Sequence, residues 1–201
     1  MISVPEVVAH SRGFTLALRA GRALGHLRLG LLGPTGTPLS DLHQIGTPES
    51  EFGRPSLASG PEQTLLAVSA KSAADGAYQL LLGRARNGEL PMELAPLEVD
   101  AEADAELAAP AVAALQDGGF AVLWTQGATW RRQVRLQRLS ATLAPIGAPL
   151  DVTTPDPALG GATSGALFSA ADQLLVLYFS RREEGHSLWV AKIGCRASAS
   201  L

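Results

Sequence analysis

Three short stretches gather most of the residues that could do chemistry. In "TWRR", Thr129 to Arg132, an indole sits beside two guanidiniums, a set that can stack on the flat face of a sugar or base and clamp an anion. The plainer reading is an exposed hairpin tip whose arginines lie along the surface. In "RREEGH", Arg181 and Arg182 are followed by two carboxylates and His186, most simply a self-neutralising loop with ion pairs of small energetic value. In "DAEADAE", Asp100, Glu102, Asp104 and Glu106 stand at alternate positions and could offer oxygen ligands to calcium. The spacing lacks the glycine and the bidentate terminal acid of a calcium loop of known geometry, so a solvated acidic linker is the simpler account.

Catalysis needs groups that converge, and the sequence gives little sign of them. His10, His26, His43 and His186 fall at unrelated places, without the helical-turn spacing of a metal pair. No Gly-x-Ser-x-Gly elbow and no phosphate-cradling Gly-Lys-Ser/Thr loop occurs. Cys195 is the only cysteine, which excludes an internal disulfide and a cysteine-based zinc site, and nothing near it argues for an activated thiolate. No cofactor is implied.

Length and charge narrow the partners. The 201 residues can bury one substantial core. A net charge of -3 gives no global attraction to nucleic acid or to anionic membranes. The longest apolar runs, such as "LLVLY" from Leu174 to Tyr178, are too short for a spanning helix, and "MISVPEVV" lacks the regions of a signal peptide. A chain without membrane insertion and without its own export address is expected.

These residues must be positioned by something, and the chain repeats itself. The stretch "PAVAALQDGGFAVLWTQ…QVRLQRLSATLAPIGAPLDV", Pro110 to Val152, has the order proline, alternating run, polar turn with glycine, apolar run, loop, third run, Pro-Gly turn and fourth run. The same order recurs from Pro5 to Ile45 and from Pro55 to Val99, and a last copy, about 163–195, stops after its third run. A period of roughly fifty residues lies in the range of propeller repeats. Each run is short, rich in Val, Leu and aromatics, and bounded by turn residues, which predicts strands. In the third copy they are expected at about Ala111 to Leu115, Phe120 to Thr125, Gln133 to Ser140 and Ala148 to Val152. The fold class is therefore all-β: a β-propeller of about four blades of four antiparallel strands in a single domain over 1–201, the last blade incomplete.

"QDGGF" then reads as a tight hairpin between first and second strands, with Asp117 and the glycines supplying side-chain hydrogen bonds and positive backbone angles. The near-continuous apolar run after it implies a strand covered on both faces by neighbouring blades, with Phe120 and Trp124 in the core.

"AALQDGGFAVLWTQ…VRLQRLSATLAPIGAPLDV" resembles bacterial β-propeller repeat proteins whose units carry a leucine-aspartate-glycine-glycine-phenylalanine turn, a tryptophan and a Gln-Arg strand. The likeness is good for the third copy, partial for the first and pattern-level elsewhere; Ser69 and Leu18 stand where the tryptophan should be. It implies the fold, and an exported or surface setting if the chain is part of something longer. Ile2 to Val4 run straight into Pro5, which leaves no spare chain for them to close the last blade. Either a four-bladed ring held by side-chain packing or the carboxyl-terminal part of a longer propeller follows.

In an ordinary propeller the loops joining second to third strands share a face with the blade-to-blade crossings, and loops on a rigid scaffold are where binding residues lie. That face collects Trp130, Arg131, Arg132, Arg181, Arg182 and His186, together with the acids of 100–106. The expected function is a non-catalytic module binding a protein or glycan on this face; the alternatives are a carbohydrate-active propeller hydrolase or lyase, and a spacer without ligand. Carboxylates gathered around the central opening would favour the hydrolase. Glu6 and Asp117 are the only carboxylates expected close to inner strands, and Asp117 sits in a hairpin turn expected on the opposite face, so nothing in the sequence supports an enzyme.

Overall fold

The computed structural model describes residues 5–21, 25–46, 50–72, 76–90, 92–100, 105–128, 131–153, 161–182 and 185–194. All regular structure in them is strand. Blade 1 contains β1 (Glu6–His10), β2 (Gly13–Gly21), β3 (Gly25–Leu32) and β4 (His43–Ile45). A two-residue strand, β5 (Glu51–Phe52), precedes blade 2, which contains β6 (Ser56–Ser59), β7 (Gln63–Lys71), β8 (Tyr78–Arg86) and β9 (Leu94–Pro96). Blade 3 contains β10 (Leu107–Ala114), β11 (Phe120–Gln126), β12 (Gln133–Leu139) and β13 (Pro145–Asp151). Blade 4 has three strands among the described residues: β14 (Ala162–Ala170), β15 (Gln173–Arg182) and β16 (Gly185–Gly194). Every strand pairing is antiparallel.

The strands form because each run can bury both of its faces. On β7, Leu65 and Ala67 join a cluster with Phe120, Val122 and Trp124 of blade 3, while Leu66 and Val68 join one with Leu27 and Leu29 of blade 1. On β11 the alternation repeats one blade later: Phe120, Val122 and Trp124 face blade 2, and Ala121 and Leu123 meet Leu174 and Val176 of blade 4. Three apolar layers thus lie between four successive blades. A strand that must be apolar on both sides shows no period-two pattern, as the wholly buried β11 does.

The hairpin before β11 closes as its residues dictate. Leu115 N donates to Gly119 O at 2.9 Å, Gly119 N donates to Asp117 Oδ1 at 3.0 Å, and Gly118 takes a φ of 81°, the left-handed region in which a side chain is disfavoured.

Two features depart from four separate four-stranded sheets. β5 pairs with β3 through Gly25 and Phe52 and with β7 through Glu51 and Lys71, so blades 1 and 2 share one hydrogen-bonded sheet. Phe52 is buried between the two blades and draws the crossing inward. The proline of the third copy does not begin its strand either: β10 starts at Leu107, and Pro110 sits inside it at a bulge where the register with β11 shifts between Ala108 and Ala111. The missing N–H of Pro110 is tolerated because the bulge breaks the ladder there. β13 likewise begins at Pro145, three residues ahead of expectation.

Trp124 is fully buried, and its indole N–H donates to Gln126 Oε1 at 3.1 Å. Trp124→Ala should destabilise the fold by ~3 to 5 kcal/mol through lost burial and a cavity. Urea unfolding followed by far-ultraviolet circular dichroism checks this, and a loss below about 1 kcal/mol would contradict it.

Candidate functional site

The inner strands of all four blades meet around a cavity of ≈ 320 Å³. Its wall takes Glu6 from β1, Ser56 and Leu57 from β6, Ala109 to Val112 from β10 and Ser164 to Leu167 from β14, with Arg54 at the edge. Glu6, Ser56 and Ser164 lie near the starts of their strands, so the cavity is the mouth of the propeller axis on the face where the inner strands begin.

Arg54 is aimed by its neighbours in "FGRPS". Phe52 is buried, Pro55 is buried, and Gly53 N donates to Ser69 O at 2.8 Å. A Cβ on Gly53 would lie 2.3 Å from Ser69 Oγ, so a side chain there would have to turn the Ser69 hydroxyl aside. The guanidinium then reaches across to blade 1, with Nη2 at 2.6 Å and Nε at 3.1 Å from Glu6 Oε1. Both bonds go to one oxygen, so Oε2 is not taken up by the pair. The Arg54 side chain is 65% exposed, so the contact orients the carboxylate more than it stabilises the fold.

Hydroxyls fix the far wall. Ser56 Oγ accepts from Val112 N at 3.2 Å, tying the inner strands of blades 2 and 3. Buried Ser164 donates from its N to Thr125 Oγ1 at 2.8 Å and from its Oγ to Ala109 O at 2.5 Å, tying blades 3 and 4. Two bulges face each other here. Ala109 has a φ of 47°, in the left-handed region, beside the β10 bulge, and the β14 register shifts between Ser164 and Ala166. Bulges concentrate next to functional sites because they re-aim backbone and side chains, and two of them line this one opening.

The residues expected to bind a ligand are placed differently. Trp130, Glu102 and Asp104 lie outside the described residues. Arg132 is engaged by Glu106 in an ion pair, which occupies both a candidate binding residue and a candidate metal ligand. Asp100 meets Gln126 Nε2 at 2.8 Å and Arg135 Nη1 at 3.0 Å through its backbone carbonyl. Arg131 is exposed, and its backbone N–H closes a turn onto Ala128 O at 2.8 Å. Arg181 and His186 are exposed and stand opposite one another in the β15–β16 ladder, and Arg182 ends β15. Gly127 N donates to Glu106 O at 3.1 Å, so the end of β11 lies beside the start of β10. Asp117 lies in the β10–β11 hairpin at the other end of blade 3, where Arg138 Nη2 holds it at 2.9 Å. Among the described residues no three His, Cys, Asp or Glu side chains gather as a metal site.

Sequence reasoning passed over Arg54, Ser56, Ala109 and Ser164. The signal available was the repeat phase. Glu6 follows Pro5, Arg54 and Ser56 flank Pro55, and Ala109 and Ala111 flank Pro110, so the residues beside the phased prolines mark the channel entrance.

No protein-family model matches the chain, and no curated protein does. Solved structures do. An endo-arabinanase from Bacillus licheniformis superimposes with a TM-score of 0.56 at 12% identity, over 94% of this chain and 70% of that one. An α-L-arabinanase from Penicillium chrysogenum, complexed with arabinobiose, gives 0.60 at 12% identity over 95% and 64%. A mannose phosphorylase from Leishmania mexicana gives 0.52 at 13% identity over 96% and 61%. These show the fold, a β-propeller. The likeness to bacterial repeat proteins therefore holds at the level of the propeller. The expectation of a non-catalytic interaction module is corrected: the solved structures reported for this fold are two arabinanases and a mannose phosphorylase, enzymes rather than interaction modules. The loop arginines that supported the module include Arg132, which Glu106 already occupies.

Ser164→Ala removes the hydroxyl that joins blades 3 and 4 and leaves Ala109 O without that donor. It should cost about 1 to 3 kcal/mol. Thermal unfolding measures the loss, and an unchanged midpoint would mean that the hydroxyl does not hold the cavity wall.

Proposed function

We propose that the protein acts on a glycan held at the channel mouth, with Glu6 as the carboxylate that carries proton transfer. The observation behind this is the convergence of a carboxylate, a guanidinium and strand-held hydroxyls in one cavity on the propeller axis. Ligand sites are concave and carry a few convergent polar groups, and this cavity is a concave opening whose wall includes Glu6, Arg54, Ser56 and Ser164. Neighbouring hydroxyls of a sugar ring offer a donor to Glu6 and acceptors to Arg54, so one Arg–Glu pair can hold one sugar edge.

Hydrolysis of a glycosidic bond ordinarily uses two carboxyl groups about 5 to 9.5 Å apart, one to protonate the leaving oxygen and one to act as nucleophile or to activate water. Glu6 is the carboxylate of the cavity wall among the described residues. The second role falls in this reading to Glu106, which lies outside the cavity wall, precedes β10 by one residue and is held by Arg132. Each acid would then sit at the start of an inner strand with its own arginine. The arabinanases of the same fold make an arabinan the first substrate to try, with galactan and mannan beside it. The resemblance of residues 110–152 to exported or surface repeat proteins would suit a protein that meets polysaccharide outside the cytoplasm.

Reducing-sugar release from the three polysaccharides tests the reading. The wild-type protein should cleave at least one, and Glu6→Gln should slow that cleavage by ~10² to 10⁴-fold, the usual worth of a positioned acid or base. No cleavage by the wild type, or an undiminished rate in Glu6→Gln, would overturn it.

A further inference from the structure

The apolar layer between blades 2 and 3 does not reach the outer edge of the cleft. Leu80, Leu82 and Leu97 of blade 2 are buried in it with Phe120 and Trp124 of blade 3. Further out the two blades stand apart around a second cavity of ≈ 500 Å³, a size common among small-molecule sites. β8 and β9 supply one wall, and the turn from β12 to β13 supplies the other through Thr142, Leu143 and Pro145. Leu139 pairs with Phe120, so this turn lies beside the β10–β11 hairpin, at the end of the blades away from the axial mouth.

The turn is braced from within and from the neighbouring blade. Ser140 N donates to Ala144 O at 2.9 Å, and Ser140 Oγ accepts from Thr142 N at 3.2 Å and Ala144 N at 3.1 Å. Ala141 O accepts from Gln63 Nε2 and from Arg84 Nη1, both at 2.8 Å, which docks the turn on blade 2. Leu143 has a φ of 66°, uncommon for a residue with a bulky side chain, and packs half-buried against the layer between the blades. Backbone strain of this kind collects at ligand sites, and here it keeps a leucine in the cavity wall where a glycine would turn more easily.

The charged groups of the cavity come from the end of one ladder. β8 and β9 pair from Leu81 with Pro96 to Gly83 with Leu94, so Arg84 and Glu93 follow at its open end, on the face that carries Leu82 and Ala95. Glu98 lines the same cavity beyond β9. Arg84 is turned to Ala141 O, and among the described residues no ion pair engages Glu93 or Glu98. A cationic ligand would meet the Arg84 guanidinium, and an anionic one would meet two carboxylates. A neutral polyol suits both, since its hydroxyls donate to the carboxylates and accept from the guanidinium while its C–H face lies on Leu143, Pro96 and Pro145.

We propose that this cavity is a second glycan-binding site, separate from the axial one. That it anchors the same polysaccharide rests on the reading of the axial cavity given above. The seven residues of β11 and of β12 set the two ends of blade 3 roughly 20 Å apart. A short oligosaccharide therefore occupies one site without bridging to the other, and anchoring acts on long chains.

Native gels containing arabinan, galactan or mannan test this on the full chain carrying Glu6→Gln and Arg54→Ala, which leaves the polymer uncut and strips the axial cavity of its polar pair. At least one polymer should retard that protein. Adding Glu93→Ala with Glu98→Ala, or adding Ala95→Trp to fill the cavity, should raise the dissociation constant for the polymer at least about fivefold, since each carboxylate lost removes a charge-assisted hydrogen bond. In the otherwise wild-type protein the same changes should leave the circular dichroism spectrum, the melting temperature and the cleavage of a short oligosaccharide unaltered. No retardation by any of the three polymers, or retardation that both cavity variants keep in full, would overturn the proposal. A protein that cleaves nothing but is retarded through Glu93 and Glu98 would sink the axial reading and leave this one standing.

Discussion

The structure depends on one packing constraint: the second strand of a blade must be apolar on both faces so that each sheet can lie against the next. β11 meets it most fully, with seven consecutive buried residues that alternate between the layer shared with blade 2 and the layer shared with blade 4. β7 does the same between blades 1 and 3. Because sheets in such layers stand about 10 Å apart, the inner strands are brought to a common axis at a spacing the side chains dictate. Few polar contacts are then needed to set the opening, and they lie where it narrows: Ser56 against Val112, and Ser164 against Thr125 and Ala109. The cavity is a consequence of the stacking, and its chemistry belongs to the few residues that the strand starts present to it.

The stacking was legible in the sequence because it is written in the period of the apolar runs and in local turn chemistry. "QDGGF" gave its own hairpin, and the run from Phe120 could be read as a strand covered on both sides. Less legible were features that depend on neighbours distant in the chain. β5 exists because Phe52 finds a place between two blades, and nothing in "EF" announces a strand. The β10 bulge hid the true start of that strand, since a proline inside a run reads as its boundary until a broken ladder makes room for it.

The candidate site was harder still, because charge is a poor guide to it. The arginine-rich loops drew attention as clusters, yet Arg132 is committed to Glu106. Exposed pairs of this kind add little to stability and fix side-chain directions instead. The Glu6–Arg54 pair is chemically of the same sort and differs in where it stands, on the axis, across two blades and beside two facing bulges. A sequence shows residue types at once and convergence only when strands 48 residues apart can be aligned in phase.

The claim that matters most is that a glycan occupies the axial cavity and not the loop rim. Hydrogen exchange of the wild-type protein with and without an arabino-oligosaccharide tests it directly. The account predicts slowed exchange in segments holding Glu6, Arg54 to Leu57, Ala109 to Val112 and Ser164 to Leu167, all of which wall the cavity. Protection confined to the 127–132 and 181–186 loops, or none at saturating oligosaccharide, would contradict it.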